Sequence, residues 1–141
     1  MDNVDRGIIE ILRRDGRASN ARIARDLDVS EGTIRRRLGR LISDNVIDIR
    51  AIPNLGKMGF SIDALVGLQT TPGQLDEIAN TLASMEESSY VAVSTGPFDL
   101  FVIVGLPSKE ELSIFLKEKV GGIPGVIKTE TFLNLEIKKG S

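Results

Sequence analysis

Neither cysteine nor histidine occurs anywhere in the 141 residues. The first absence excludes a disulfide framework, a thiolate nucleophile and a zinc–thiolate site. The second removes the commonest general base and the commonest metal ligand. Catalysis is therefore disfavoured, and neither a metal nor a cofactor is expected. No apolar run approaches the roughly eighteen residues that a membrane span requires. The opening residues Met1-Asp2-Asn3-Val4-Asp5 are acidic and polar, so they do not read as a signal peptide. A cytoplasmic protein with no membrane partner is the expectation. What remains is an ordinary globular composition, 41% hydrophobic and 27% charged, in a chain long enough for one large domain or two small ones.

Two further absences divide the chain. Residues 1–50 contain eleven arginines, no lysine and nine acids, a net of +2, whereas residues 51–141 contain seven lysines, no arginine and eleven acids, a net of −4. Drift in residue usage could produce such a split. The alternative is chemical: arginine's planar fork matches phosphates and the edge of guanine, and lysine is a solvated point charge. On that reading one end of the chain touches nucleic acid and the other does not.

The arginine-bearing end reads as three helices. Val4, Ile8, Ile9, Ile11 and Leu12 recur at helical spacing. Asp15-Gly16 ends this helix, with Gly16 expected in the left-handed conformation of a helix stop. Ser19 can cap a second helix that buries Ile23, Ala24 and Leu27, and Ser30 can cap a third after the tight turn Asp28-Val29. Two short helices joined by so short a link have helix-turn-helix spacing. On the third helix Ile34, Leu38, Leu41 and Ile42 share a core side. Gly32, Thr33, Arg36, Gly39 and Arg40 lie opposite, and Arg35 and Arg37 flank the two. A solvated basic face is the plainer interpretation of such a cluster. Beside a preceding helix and turn, however, a slim face of glycines, a threonine and arginines fits the major groove. The DNA-contacting candidates are Ser30, Gly32, Thr33, Arg35, Arg36, Arg37, Arg40 and Arg22, with phosphates held by arginines such as Arg22, Arg35 and Arg37.

Beyond this helix, Asn45–Ile47 and Ile49–Ile52 read as short strands of a wing or linking hairpin. The turn formers from Pro53 to Gly59 mark a boundary. The expected organisation is a DNA-binding domain over 1–49, a hinge strand or linker over 50–59 and a second domain over 60–139. In the second domain, residues 60–69 alternate as a strand. Pro72 is expected to start a helix that buries Leu75, Ile78, Ala79 and Leu82. Strands follow at Tyr90–Val93 and Leu100–Val104, joined by Gly96-Pro97-Phe98. A capping box of Ser108 and Glu111 opens a helix burying Leu112, Phe115 and Leu116, and a last strand spans Val126–Ile137. Pro72 and Pro107 stand 35 residues apart in the two echoing halves. The fold class is thus α+β: a winged helix-turn-helix of three helices plus a ferredoxin-like βαββαβ domain with an antiparallel sheet. Leu100, Val102 and Val104 alternate with Phe101 and Ile103, so both faces of that strand are apolar and the sheet needs a second cover. A partner sheet in a homodimer supplies one.

These segments together resemble the Lrp/AsnC family, the feast/famine regulators. The resemblance is carried by Asp5, Ile8, Ile9 and Leu12, by Asp15-Gly16-Arg17-Ala18-Ser19, by Ile23-Ala24, by Val29-Ser30, by Arg37-Leu38 with Arg40-Leu41, and by Val46-Ile47. It continues in Gly96-Pro97-Phe98-Asp99-Leu100, Pro124-Gly125-Val126 and Thr129-Glu130-Thr131. Asp28 departs from the glycine usual in the family's turn, and Asp48-Ile49 from its Gly-Tyr. The resemblance implies a transcription regulator that binds double-stranded DNA. It also implies dimers assembling into octamers or related rings, and small amino-acid-type effectors bound between dimers. Carried over position by position, the effector candidates are Gly96, Phe98 and Asp99 in the turn and Thr129, Thr131 and Asn134 in the last strand. For Asp99 the plain alternative is a turn residue bonding its own backbone. Two other functions stay open: an architectural DNA-binding protein without an effector, and a small ferredoxin-like enzyme or metal module using Asp63, Asp99 and Glu130.

Overall fold

Three side-chain caps punctuate the amino-terminal third. The computed structural model describes residues 1–140 and divides into two units, Met1–Ala51 and a second beginning at Ile52. In the first unit Asp2 caps α1 (Asn3–Arg14), Ser19 caps α2 (Asn20–Leu27) and Ser30 caps α3 (Glu31–Ser43). The serine hydroxyls accept the N–H groups of Arg22 and Thr33, each at 3.1 Å. Such caps are worth about 1 kcal/mol apiece. Ile8, Ile23 and Ile34 are fully buried, one from each helix, and Ala24 and Leu41 complete the core. Each large aliphatic contributes about 1.5–3 kcal/mol by leaving water.

Two helix ends share one device. The N–H of Val29 reaches the carbonyl of Ala24 at 3.0 Å and that of Asp28 reaches Arg25 at 3.3 Å. After α3, Val46 reaches Leu41 at 2.9 Å and Asn45 reaches Ile42 at 3.0 Å. This paired closure needs a left-handed residue, supplied by Asp28 (φ 53°) and Asn45 (φ 56°). Asp28 can stand in for glycine because a short polar side chain tolerates that region.

Several expectations are corrected here. Gly16 is not left-handed; α1 ends because Asp15 turns extended (φ −142°), its carboxylate accepting the Arg17 N–H at 3.0 Å. Ile42 is 43% exposed and lies outside the core, while Ile47 packs against that core. Residues 47–54 are irregular instead of forming wing or hairpin strands. The stretch immediately before them is spent closing α3, and a strand requires a ladder partner that this segment lacks among the described residues.

The second unit is one antiparallel sheet in the order β2-β3-β1-β4, built from β1 (Ile62–Thr70), β2 (Ser88–Val93), β3 (Leu100–Leu106) and β4 (Val126–Leu133). With α4 (Leu75–Ala83) and α5 (Lys109–Ile114), the chain order is βαββαβ. Ala64, Val66 and Leu68 pair across to Val104, Val102 and Leu100. All six point to the helix side, where they bury Ile78 and Leu82 of α4 and Leu112 of α5. α5 runs on as a π-helical turn, Phe115–Val120, that adds Phe115 and Val120 to the core. The opposite face carries half-buried Leu65, Phe101 and Ile103 with exposed Tyr90 and Phe132.

Boundaries moved for local reasons. Pro72 does not begin α4: Pro72-Gly73 forms a tight turn (Gly73 φ 90°) closed by Gln74 N–H to the Thr71 carbonyl at 3.1 Å. Ser108 accepts the Glu111 N–H at 3.2 Å, but the return bond of a capping box is missing. β4 stops at Leu133, opposite Ala64, after which the Asn134 N–H still reaches the Asp63 carbonyl at 2.9 Å and Leu135 is 96% exposed. No helix among the described residues is long and apolar enough to cross a membrane.

Candidate nucleic-acid interface

Because Ile34 and Leu41 anchor α3 inward, its other side is fixed toward solvent. Gly32, Arg36, Gly39 and Arg40 are all exposed there. A Cβ built on Gly32 or Gly39 would meet nothing within 4 Å, so this side is open and shallow. Neither Arg36 nor Arg40 forms an ion pair among the described residues. Their guanidinium groups are therefore available for bidentate donation.

The other sequence candidates are already engaged. Ser30 spends its hydroxyl on the cap and on the Thr33 hydroxyl at 2.8 Å, and Thr33 is half-buried. Arg35 pairs with Glu31 one turn back at 3.2 Å. Arg22 pairs with Asp15 at 2.6 Å and with Asp26 at 3.7 Å. These pairs are exposed and worth a few tenths of a kcal/mol, so phosphate could displace them. Arg37 differs: its side chain is 26% exposed and Nη1 bonds both Asp2 and Asp5, the latter at 3.4 Å. The hydrogen bond from Arg37, helped by the Asp5 N–H, lowers the Asp2 carboxyl to about 2, and the same contact raises the Arg37 guanidinium. Sequence reading missed this pairing, though the Asp2/Asp5 spacing is a helix-start signal.

The effector candidates fall in separate places. The Gly96–Asp99 turn is pinned to β1: Asp99 N–H to the Leu68 carbonyl at 2.8 Å, the Asp99 carboxylate accepting Thr70 N–H at 2.8 Å, and Gln69 donating to the Pro97 carbonyl at 2.9 Å. Gly96 supplies the left-handed residue of the turn (φ 103°). Phe98 lies over Gly67, where a Cβ would sit 2.8 Å from its ring, and meets Phe101 edge-on at 5.6 Å. Thr129 and Thr131 face the helix side from β4, on the far side of β1 and about 10 Å from β3 by strand spacing. Asn134 lies at the other end of β1, its amide donating to Asp63 at 2.7 Å. Within one chain these residues do not converge. The three acids of the enzyme alternative are also dispersed: Asp63 holds Asn134, Asp99 holds Thr70, and Glu130 is 3.8 Å from Lys128.

Comparison with known proteins adds the context of both units. The AsnC-type helix-turn-helix domain model matches residues 1–42, and the Lrp/AsnC ligand binding domain model matches residues 63–141. An uncharacterised HTH-type transcriptional regulator of Pyrococcus abyssi is 34% identical over 140 residues, spanning 99% of this chain and 89% of its own length. HTH-type transcriptional regulator FL11 of Pyrococcus furiosus is 34% identical over 99% of this chain and 92% of its own. Among solved structures, Escherichia coli AsnC superposes with a TM-score of 0.90 at 25% identity, covering 100% of this chain and 96% of that one. A Neisseria meningitidis regulator crystallised with L-Met gives 0.91 at 18% identity, over 100% and 94% of the two chains.

Proposed function

The chain belongs to the Lrp/AsnC family of transcriptional regulators, and from that premise we propose that the exposed side of α3 reads DNA through Arg36 and Arg40. It is a regulator with an amino-terminal helix-turn-helix DNA-binding domain and a carboxy-terminal ligand-binding domain. The observation that carries the finer reading is the pair of exposed, unpaired arginines beside two glycines on the open side of α3. Gly32 and Gly39 let the helix approach the groove floor, and each arginine can donate twice to a guanine edge. Arg22 and Arg35 exchange their exposed carboxylate partners for phosphates. The work is binding, with no catalytic step, and its place is the cytoplasm.

The ligand proposed for the second unit is a small amino acid, as in the Neisseria neighbour's L-Met complex. Asp99 Oδ2 is committed to Thr70, but Oδ1 has no hydrogen-bond partner among the described residues and can accept an ammonium. Because the turn and the β4 threonines are held apart within one chain, a ligand bridging them needs a second copy. The apolar face of Leu65, Phe101, Ile103, Tyr90 and Phe132, opposite the side that carries Thr129 and Thr131, is covered by a sheet-to-sheet dimer partner, and the copy that completes the ligand site belongs to a neighbouring dimer of a larger ring.

Selection of binding sites from genomic DNA, with and without each amino acid, tests this function. Enrichment of defined sites, altered by at least one amino acid, is expected. Defined sites that no amino acid alters would leave an effector-independent architectural protein, and no enrichment at all would defeat sequence-specific regulation.

A further inference from the structure

Asp2 and Asp5 each divide their two oxygens between two tasks. Asp2 Oδ1 accepts the N–H groups of Val4 and Asp5 at 3.0 and 3.1 Å, which starts α1, while Oδ2 receives Arg37. Asp5 Oδ2 accepts the Asp2 N–H at 3.2 Å, and Oδ1 faces the same Arg37 nitrogen at 3.4 Å. One guanidinium nitrogen thereby joins the first turn of α1 to the middle of α3, across 35 residues of sequence. Arg37 is flanked on the helix by Arg36, one residue before it, and Arg40, three residues after it. Beside the buried anchors Ile34 and Leu41, this contact adds a tie between α1 and the part of α3 that carries those two arginines.

We propose that Arg37 is a positioning residue for DNA reading, holding the rotation of α3 through Asp2 and Asp5 instead of contacting a phosphate. The proposal rests on the reading of α3 as the base-contacting helix. It assigns a part in specificity to two acids that no anion-binding surface would recruit directly. Base recognition tolerates little displacement, because a bidentate pair is lost when the fork leaves the plane of its acceptors.

Three variants of the full chain separate positioning from phosphate contact. Arg37→Met keeps the stem's packing and removes the charge. Arg37→Lys keeps the charge but loses the fork. Asp2→Asn keeps a good cap acceptor and removes the charge that pairs with Arg37. The probes are a duplex enriched by the wild type from a random pool and a scrambled duplex of equal composition. Affinity for both is measured over a range of salt, well below each variant's melting temperature.

Arg37→Met and Asp2→Asn are each expected to reduce the ratio of selected to scrambled affinity by roughly fivefold or more, about the cost of one mismatched base pair. Arg37→Lys should recover part of the ratio. The salt slope of Arg37→Met on scrambled DNA should match the wild type. Asp2→Asn is the sharper arm, because removing a negative charge from the DNA-binding domain should otherwise favour binding, and it keeps the test intact if Arg37→Met does not fold. An unchanged ratio in Asp2→Asn would overturn the proposal. So would a slope shallower by about 0.9 with an unchanged ratio in Arg37→Met, which marks a lost phosphate contact. If the wild type enriches no sequence, the failure belongs to the base-contacting role of α3, and the clamp falls with it.

Discussion

Asp2 and Asp99 are both acids whose work is done far away in sequence. Hydrogen bonding from Arg37 holds the Asp2 carboxyl at about 2 against an ordinary 3.8. A folded-state pKa below the unfolded one stabilises the fold above the unfolded value, and this contribution is lost as pH falls from about 4 toward 2. Melting temperature followed by circular dichroism should fall more steeply over that range in wild type than in Arg37→Met, and parallel curves would contradict the pairing. Asp99 carries the Thr70 N–H, in a residue only 6% exposed. Asp99→Ala should therefore cost about 1–3 kcal/mol in urea unfolding, the penalty of an orphaned buried donor. Asp99→Asn, which keeps an acceptor, should cost less; an alanine variant as stable as wild type would return Asp99 to a purely sensory role. Neither partnership was legible in the sequence. Arg37 and Asp2 are 35 residues apart and Asp99 and Thr70 are 29 apart, and no local pattern encodes such distances.

Elements were legible where the signal is local. Ser19, Ser30 and Ser108 each cap the helix they precede, and the buried faces of Ile23, Ile34, Ile78 and Leu112 follow from periodicity alone. Features that depend on a neighbour were not legible. The expected strands within 45–52 find no ladder, β4 ends at Leu133 instead of running to Ile137, and the π turn at Phe115–Val120 carries no periodicity of its own. The helix-turn-helix link itself makes a testable element. Asp28 sits at φ 53° and ψ 50°, a conformation that costs an ordinary L residue about 1–2 kcal/mol. Asp28→Ala should lose an amount of that order in thermal unfolding, and Asp28→Gly should lose nothing. Equal losses in both would place the value of Asp28 in its side chain and not in its backbone.

For the whole molecule, the two units divide the labour that the arginine–lysine partition first hinted at. The first carries the DNA-binding domain, and the second carries the ligand-binding domain and an apolar sheet face. If that face is a dimer contact, Ile103→Lys buries an unpaired ammonium there and should reduce the wild-type assembly in sedimentation velocity. An unchanged sedimentation profile would move the interface elsewhere. The central claim concerns α3, and its most direct measurement is the titration of a selected duplex by wild type, Arg36→Ala and Arg40→Ala at fixed salt. Each variant should lose about 1–3 kcal/mol on the selected site and relax the preference at the base pair it reads. If both variants bind that duplex as tightly and as selectively as the wild type, the open side of α3 is not the surface that reads DNA.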